Sequence, residues 1–191
     1  MTPLSGRYLY ELNGERVAID ERFEIAHGRI SSTRVTPSGV RLKVEGCAAL
    51  LDFMVTMTFP DRTIDAYYEI DADEVRCTRG AALESAEKPI DLVVSPILRV
   101  FQGPAIRATA STGSASVLVP WIYDPSDRER LLGINIEPRR AFVEGDGSYR
   151  YIGGNYDDTA QFWLDDGGVL LDRYVWHQSD TQRWDIRLEL T

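Results

Sequence analysis

Most of the chain alternates between apolar and polar residues with a period of two. The clearest runs cover residues 40–45, 53–59, 64–70 and 75–78. Such a period places apolar side chains on one face of a strand and polar side chains on the other. Turn sequences separate the runs, and Asn13-Gly14 is typical of a tight hairpin because both residues tolerate a positive φ. The pattern predicts half-buried antiparallel strands connected as a meander.

The alternation returns in the second half of the chain. Residues 105–110 and 114–122 are predicted strands, and residues 159–164 and 169–176 form a predicted hairpin. The last strand is the most regular, since Trp184, Ile186 and Leu188 alternate with charged residues. Residues 148–158 are aromatic and rich in glycine, and we predict a loop able to cover a cavity.

Between the two halves lies the longest apolar stretch, residues 89–106. Ser95 and Pro96 suit the start of a helix, and Gly103-Pro104 is expected to end it. Apolar residues at helical spacing, with Phe101 among them, predict a short central helix over about residues 96–102. A stripe this apolar requires cover, and the flanking strands are the cover available.

The sequence therefore predicts one domain over residues 1–191 that is mostly β. We expect an antiparallel barrel or half-barrel of about ten to twelve strands, with one short central helix at its mouth or interior. A chain of 191 residues is long enough to bury a core of this kind.

Composition and charge narrow the classes of partner. The net charge of −9 argues against nucleic acid and anionic membranes as partners. No apolar run is long enough for a membrane helix, so no membrane insertion is expected. Cys47 and Cys77 lack metal spacing and a CxxC pair, which favours free thiols. The first residues do not resemble a signal peptide, and the expected location is cytoplasmic.

Standard catalytic signatures do not occur in the sequence. It contains no GxSxG, HExxH or phosphate-binding glycine loop, and its two histidines are not spaced for a metal. We therefore expect no cofactor and no metal site.

Polar residues on predicted inward faces remain as candidates for chemistry. Glu21 lies between Ile19 and Phe23, so regular pleating turns it toward the core. A buried carboxylate needs a partner or shifts its pKa upward, and this makes Glu21 the candidate acid or base. A bulge that turns it outward, or a structural ion pair, is the alternative.

Four further residues are candidates for ligand binding. Arg173 falls on one face with Leu171 and Val175 and could pair with Glu21 or grip a ligand carboxylate. The other face of that strand is equally apolar, so the assignment stays open, and exposure or a structural ion pair is the alternative for Arg173. The remaining candidates are aromatic residues that would line the interior or its lid: Tyr68, Phe101 and Tyr151.

The order of these elements resembles a known architecture. The opening GRYLYELNGERVAIDERFEI, the central apolar helix and the terminal FWLDDGGVLLDRYVW hairpin are similar to the half-barrel fold of bacterial lipoprotein carriers and of a related periplasmic family. More distantly, the pattern resembles lipocalin-like ligand-binding barrels. The resemblance implies a ligand cavity between a curved sheet and the helix.

Three functions are compatible with this reading. The leading hypothesis is a binder of an apolar, lipid-like small molecule in that cavity. The alternative is a small barrel enzyme, such as an isomerase, hydratase or cyclase, that uses Glu21 for acid–base chemistry. The third is a filled core whose acidic surface contacts a protein partner.

Overall fold

The computed structural model describes residues 3–154 and 159–191, which form one sixteen-stranded sheet with a short helical segment. The strands are, in chain order, β1 (Leu4–Leu12), β2 (Glu15–Arg16), β3 (Asp20–Ala26), β4 (Arg29–Val35), β5 (Arg41–Cys47), β6 (Asp52–Thr58), β7 (Thr63–Ile70), β8 (Glu74–Arg79), β9 (Ala82–Glu87), β10 (Leu92–Val94), β11 (Ser114–Leu118), β12 (Ile136–Val143), β13 (Tyr149–Ile152), β14 (Ala160–Leu164), β15 (Leu171–Ser179) and β16 (Gln182–Leu190). The helical segment is a 3₁₀ turn (Arg99–Phe101) followed by α1 (Gln102–Thr112).

The strand order shows two antiparallel meanders joined through β1. Strands β3 to β9 follow one another, as do β11 to β16, and β1 pairs with both β3 and β16. Strand β10 pairs in parallel with β11 and ends the sheet on one side, while β9 ends it on the other. Strands β9 and β10 follow one another in the sequence, and they form the two opposite ends of an open sheet.

The prediction of a mostly β fold with one short helix is confirmed, but the predicted strand number is wrong, and of the two predicted shapes the closed barrel is wrong. The sheet has sixteen strands rather than ten to twelve, and it is not closed into a barrel. Two strands are too short to give a period-two signal, β2 with two residues and β10 with three. Strand β9 is largely exposed, so its residues show no buried face.

Burial follows the alternation that the sequence shows. In β5, Leu42, Val44 and Gly46 are buried while their neighbours are partly or fully exposed. On the buried face of β6 and β7, the rings of Phe53 and Tyr68 stack at 4.5 Å. Because each central strand buries alternate residues, the sheet has one core face, and α1 packs on it against β10 to β13.

The helix lies further along the chain than predicted. Residues 96–98 precede the 3₁₀ turn, and residues 105–110, predicted as a strand, belong to α1. Gly103-Pro104 does not end the helix, because proline in a first turn lacks only an N–H that would have no helical partner there. Ala105, Ile106 and Thr109 form its buried face, and Gly113 ends it with a φ of 80°.

The predicted loop over residues 148–158 differs in part from the structure. Residues 149–152, expected within a loop, form β13, and residues 155–158 of that loop lie outside the described residues. Among the described elements, no helix has the length and apolarity needed to cross a membrane.

The close packing of α1 on the sheet predicts that one added methyl group at Gly103 lowers the free energy of unfolding. A Cβ at Gly103 would lie 2.3 Å from the carbonyl oxygen of Val169, so Gly103→Ala should destabilise the fold by about 2–4 kcal/mol. Helix propensity alone predicts the opposite sign, a gain of about 0.5–1 kcal/mol. Chemical unfolding measures the change.

The matched control is Gly145→Ala, because a Cβ at that exposed position meets no atom within 4 Å. This variant should change the free energy of unfolding by less than about 0.5 kcal/mol. Equal stability of the two variants would contradict the close docking of α1.

Candidate functional site

A cavity of about 210 Å³ lies between the core face of the sheet and the segment that leads into α1. Its wall combines strands from both meanders with residues 95–102 and 119–123. The lining residues in the described part of the chain are Arg34, Ser95, Ile97, Arg99, Gln102, Val119, Ile122, Tyr123, Arg139, Tyr151, Tyr174 and Trp176.

Glu21 lies directly behind this wall. It pairs across the sheet with Tyr8 on β1 and with Arg34 on β4, and unbroken pleating turns it to the core face. Its side chain is fully buried, so the prediction that Glu21 points inward is confirmed. Its role as an acid or base stays a prediction.

Both carboxylate oxygens of Glu21 accept a hydrogen bond. The backbone N–H of Arg99 donates to Oε1 at 2.6 Å, and the hydroxyl of Tyr10 donates to Oε2. Burial, and next the Glu21 charge, raise the pKa of Tyr10 well above its usual value, which keeps this hydroxyl a neutral donor. Glu21 therefore ties the start of the 3₁₀ turn to strands β1 and β3.

Arg34 connects Glu21 to the cavity. Its Nη1 atom lies 4.0 Å from Oε2 of Glu21, and its side chain is 19% exposed. From the sequence we expected an arginine as a partner for this carboxylate, with Arg173 as the first candidate. In the structure the guanidinium of Arg34, its direct neighbour across the strand pair, lies near Glu21.

Aromatic rings line part of the cavity, among them those of Tyr151, Tyr174 and Trp176, and Phe162 packs against two of them. Phe162 stacks on Tyr174 at 4.8 Å and meets Tyr151 edge-on at 5.9 Å, and Trp176 continues the row beside Tyr174. Tyr151 was a predicted ligand-binding residue, and the structure places it in the wall. The row gives the cavity a broad apolar surface.

Two arginines lie against this aromatic row. The guanidinium of Arg99 lies 4.8 Å from the centre of the Tyr174 ring, and that of Arg139 lies 5.8 Å from the centre of Tyr151. Arg99 also donates to the side chain of Gln102 at 2.8 Å. Stacking of this kind orients a guanidinium and leaves its edge for hydrogen bonds.

Glu137 contacts two residues of the cavity wall, Arg139 and Tyr123. Its carboxylate pairs with Arg139 and accepts a hydrogen bond from the hydroxyl of Tyr123 at 2.7 Å. Burial, and next the hydrogen bond to Glu137, raise the pKa of Tyr123 to about 12. Tyr123 is therefore neutral near pH 7 and donates to the carboxylate.

Two of the predicted aromatic residues lie elsewhere in the core. Tyr68 stacks on Phe53, and its hydroxyl donates to the carbonyl of Leu132 at 2.7 Å. Phe101 is buried where the 3₁₀ turn meets α1. Neither belongs to the cavity wall that the structure describes, so both act as packing residues here.

Arg173 lies on the opposite face of β15 from the cavity, so of the two orientations left open by the sequence the structure shows the one with a structural ion pair. Its side chain makes two hydrogen bonds to the carboxylate of Asp185, at 3.0 and 2.5 Å. The register shifts between Trp163 and Leu164, which pair with Arg173 and Leu171. Because β15 has one extra residue here, Leu171 and Arg173 do not lie on the same face, although they are two residues apart. Strict alternation from the buried Leu171 therefore predicts the wrong face for Arg173.

Asp185 is the centre of a compact ion cluster on that face. Its carboxylate is 3% exposed and accepts hydrogen bonds from Arg173, Arg183 and Arg187. Burial acts to raise the pKa of Asp185, but the hydrogen bonds from Arg173 and Arg187 outweigh it and hold the pKa well below its usual range.

In the described part of the chain, no group of three or more histidine, cysteine, aspartate or glutamate residues is arranged to hold a metal ion. The polar groups of the cavity are instead arginines, tyrosine hydroxyls and amides. These groups bind anions and hydrogen-bond acceptors.

Comparison with known proteins supports the fold. No protein-family model matches the chain, and no curated protein matches its sequence. The structure is similar to that of a beta-barrel-like protein of a domain of unknown function, DUF1849, from Brucella abortus. The TM-score is 0.52 at 8% identity, and the match covers 99% of this chain and 95% of that one. At this identity the likeness shows a shared barrel-like fold.

The contacts of Glu21 predict a graded loss of stability. Glu21→Gln keeps an acceptor for Arg99 but removes the charge beside Arg34, and should cost about 1–3 kcal/mol. Glu21→Ala leaves a buried N–H and a buried hydroxyl without an acceptor and should cost more. Urea unfolding measures both variants.

Glu24→Gln is the control, because Glu24 lies on the same strand and is exposed. It should change stability by less than about 0.5 kcal/mol. If Glu21→Gln were as stable as the parent protein but altered its ligand behaviour, the structural role would be contradicted and the role as an acid or base supported.

Asp185 predicts a pH-dependent contribution to stability. Because its pKa is lowered in the folded state, its stabilisation is present above the unfolded pKa of about 3.9 and is lost as pH falls below that value. Asp185→Asn should therefore be less stable than the parent at pH 7, and the difference should shrink near pH 3. Urea unfolding at both pH values tests this, with exposed Asp180→Asn as control. A difference that is constant with pH would contradict the assignment.

Proposed function

We propose that this protein binds a small, largely apolar molecule in the cavity between the sheet and the segment leading into α1. The observation that supports the proposal is the cavity itself, whose wall contains aromatic rings together with the aliphatic side chains of Ile97, Val119 and Ile122. Ligand sites are commonly concave, mostly apolar and equipped with a few fixed polar groups.

The volume limits the size of the ligand. An enclosed cavity of about 150 Å³ accommodates benzene, so about 210 Å³ suits one ring with a short substituent. A long acyl chain has more than twice the carbon atoms of benzene and would extend beyond the cavity. The lipid-carrier role implied by the resemblance to lipoprotein carriers is therefore less well supported than binding of a compact ligand.

The enzyme alternative has weaker support. A general acid or base must reach the proton that it transfers, directly or through one water. Glu21 is not among the wall residues, and both of its oxygens already accept hydrogen bonds within the fold. These contacts favour binding without catalysis.

A cytoplasmic location remains part of the proposal. It is supported by Cys47 and Cys77, which are both free thiols, because disulfides persist mainly in oxidising compartments.

Thermal unfolding with small apolar probes tests the proposal. Indole or toluene at about 100 times its dissociation constant should stabilise the folded protein by about 2.7 kcal/mol. For a chain of this length that corresponds to a rise in Tm of about 5–11 °C. Trp176 lies in the wall, so binding should also change tryptophan fluorescence.

Val119→Phe adds a ring at the cavity wall and should abolish the thermal shift. Val143→Phe makes the same change at a side chain that is 62% exposed and should leave the shift intact. Absence of a shift for the parent protein with every probe, or equal shifts for both variants, would overturn the proposal.

A further inference from the structure

We propose that the preferred ligand is a small aromatic carboxylate, whose ring lies on the aromatic row and whose anionic group meets the cavity arginines. The inference rests on the proposed function and adds the chemical class of the ligand. Its basis is the juxtaposition of an apolar aromatic wall with guanidinium groups around one small cavity.

Every charged residue of the cavity wall in the described part of the chain is an arginine. Three arginines line it, Arg34, Arg99 and Arg139. Among the described residues, Glu21 lies near Arg34 and Glu137 pairs with Arg139. A wall whose described charged groups are all guanidinium groups favours a ligand that carries a carboxylate.

The position of Arg34 suits this role best. Its ion pair with Glu21 spans 4.0 Å, which is longer than a hydrogen bond, while Tyr10 and the backbone of Arg99 satisfy that carboxylate. A guanidinium has five N–H donors in a planar fork that matches a carboxylate. Arg34 therefore lines the cavity as a charged donor. Because Glu21 already accepts hydrogen bonds from Tyr10 and from the backbone of Arg99, Arg34 can donate to a ligand without leaving that carboxylate unsatisfied.

The local environment strengthens such a contact. Arg34 is 19% exposed and Arg139 is 4% exposed, so water screens their charges less than it screens surface arginines. A charge-assisted, bidentate contact in this setting is stronger than a hydrogen bond between neutral groups. Neutral ligands of the same shape forgo this contact and should bind more weakly.

The aromatic residues of the wall favour a ligand that contains an aromatic ring. Tyr174 and Trp176 present rings to the cavity, and Arg99 lies over the Tyr174 ring at 4.8 Å. A ligand ring that packs on this row places a one-carbon or two-carbon acidic substituent within the same 210 Å³ as the guanidinium groups. A monocyclic aromatic acid can contact the aromatic rings and the guanidinium groups of the wall at the same time.

Isothermal titration with three probes of nearly equal shape tests the inference. Phenylacetate should bind at least about 10-fold more tightly than phenylacetamide, and phenethylamine, which carries the opposite charge, should bind most weakly. Arg34→Gln should reduce the preference for acid over amide to less than about 3-fold. Arg34→Lys keeps the charge without the fork and should retain an intermediate preference.

Arg29→Gln is the matched control, because Arg29 lies on the same strand, is exposed and is not among the wall residues. It removes the same charge and should leave the preference unchanged. If Arg34→Gln does not fold, the parent protein and Arg34→Lys still decide the question, since the preference and its reduction are measured on folded protein.

The possible failures are distinguishable. If indole, toluene and all three probes fail to bind, the proposed function itself is wrong. If apolar probes bind but phenylacetate binds no better than phenylacetamide, or phenethylamine binds equally well, the cavity binds ligands and only the anionic class is overturned. An acid preference that Arg34→Gln and Arg34→Lys both leave unchanged would overturn the role of Arg34.

Discussion

The buried carboxylate of Glu21 fixes the geometry on which the cavity depends. It receives the backbone N–H of Arg99 and the hydroxyl of Tyr10, and so joins the central segment to the sheet. Just before this contact, Ile97 has a φ of 46°, which a β-branched residue rarely adopts. Such a conformation costs about 1–3 kcal/mol and persists only where surrounding contacts enforce it. The bond to Glu21 is one such contact, and Ile97 and Arg99 reach the cavity through the turn that it holds.

Strand β1 explains why one cavity draws on both halves of the chain. It pairs with β3 of the first meander and with β16 of the second, so the core faces of the two meanders are continuous. Arg34 comes from the first meander and Tyr174 from the second, and the segment before α1 lies between them. The sheet stays open at β9 and β10, which are the two ends of the strand order.

The same arrangement determines what the sequence could predict. Period-two alternation predicted the central strands and the inward position of Glu21, because both follow from pleating alone. The position of α1 could not be obtained this way, since Gly103-Pro104 is a stop signal in isolation but fits a first turn here. The face of Arg173 depended on a register shift that leaves no mark in local composition.

The cavity residues were missed for a different reason. Arg34, Arg99 and Arg139 are separated by 65 and 40 residues in the sequence, and each alone resembles a surface arginine. One signal was present, because Arg34 shares the alternation of Ile30 and Ser32 and therefore the core face of β4. Applied to every strand, that parity would have placed Arg34 beside Glu21. Arg99 has no such signal, since its position depends on the turn that Glu21 holds.

The proposed anionic ligand and the protein's net charge of −9 have the same sign, but the surface charges and the cavity charges act over different distances. At physiological ionic strength exposed charges are screened over about 8 Å, so the acidic surface acts mainly on the rate of encounter. The proposed affinity depends on the cavity, where partly buried guanidinium groups are screened much less than surface charges. The acidic surface would therefore slow the approach of an aromatic acid without removing its preference once bound. Raising the ionic strength should then speed association while weakening the bound complex far less than it would a surface ion pair, because the arginine contacts lie within the fold.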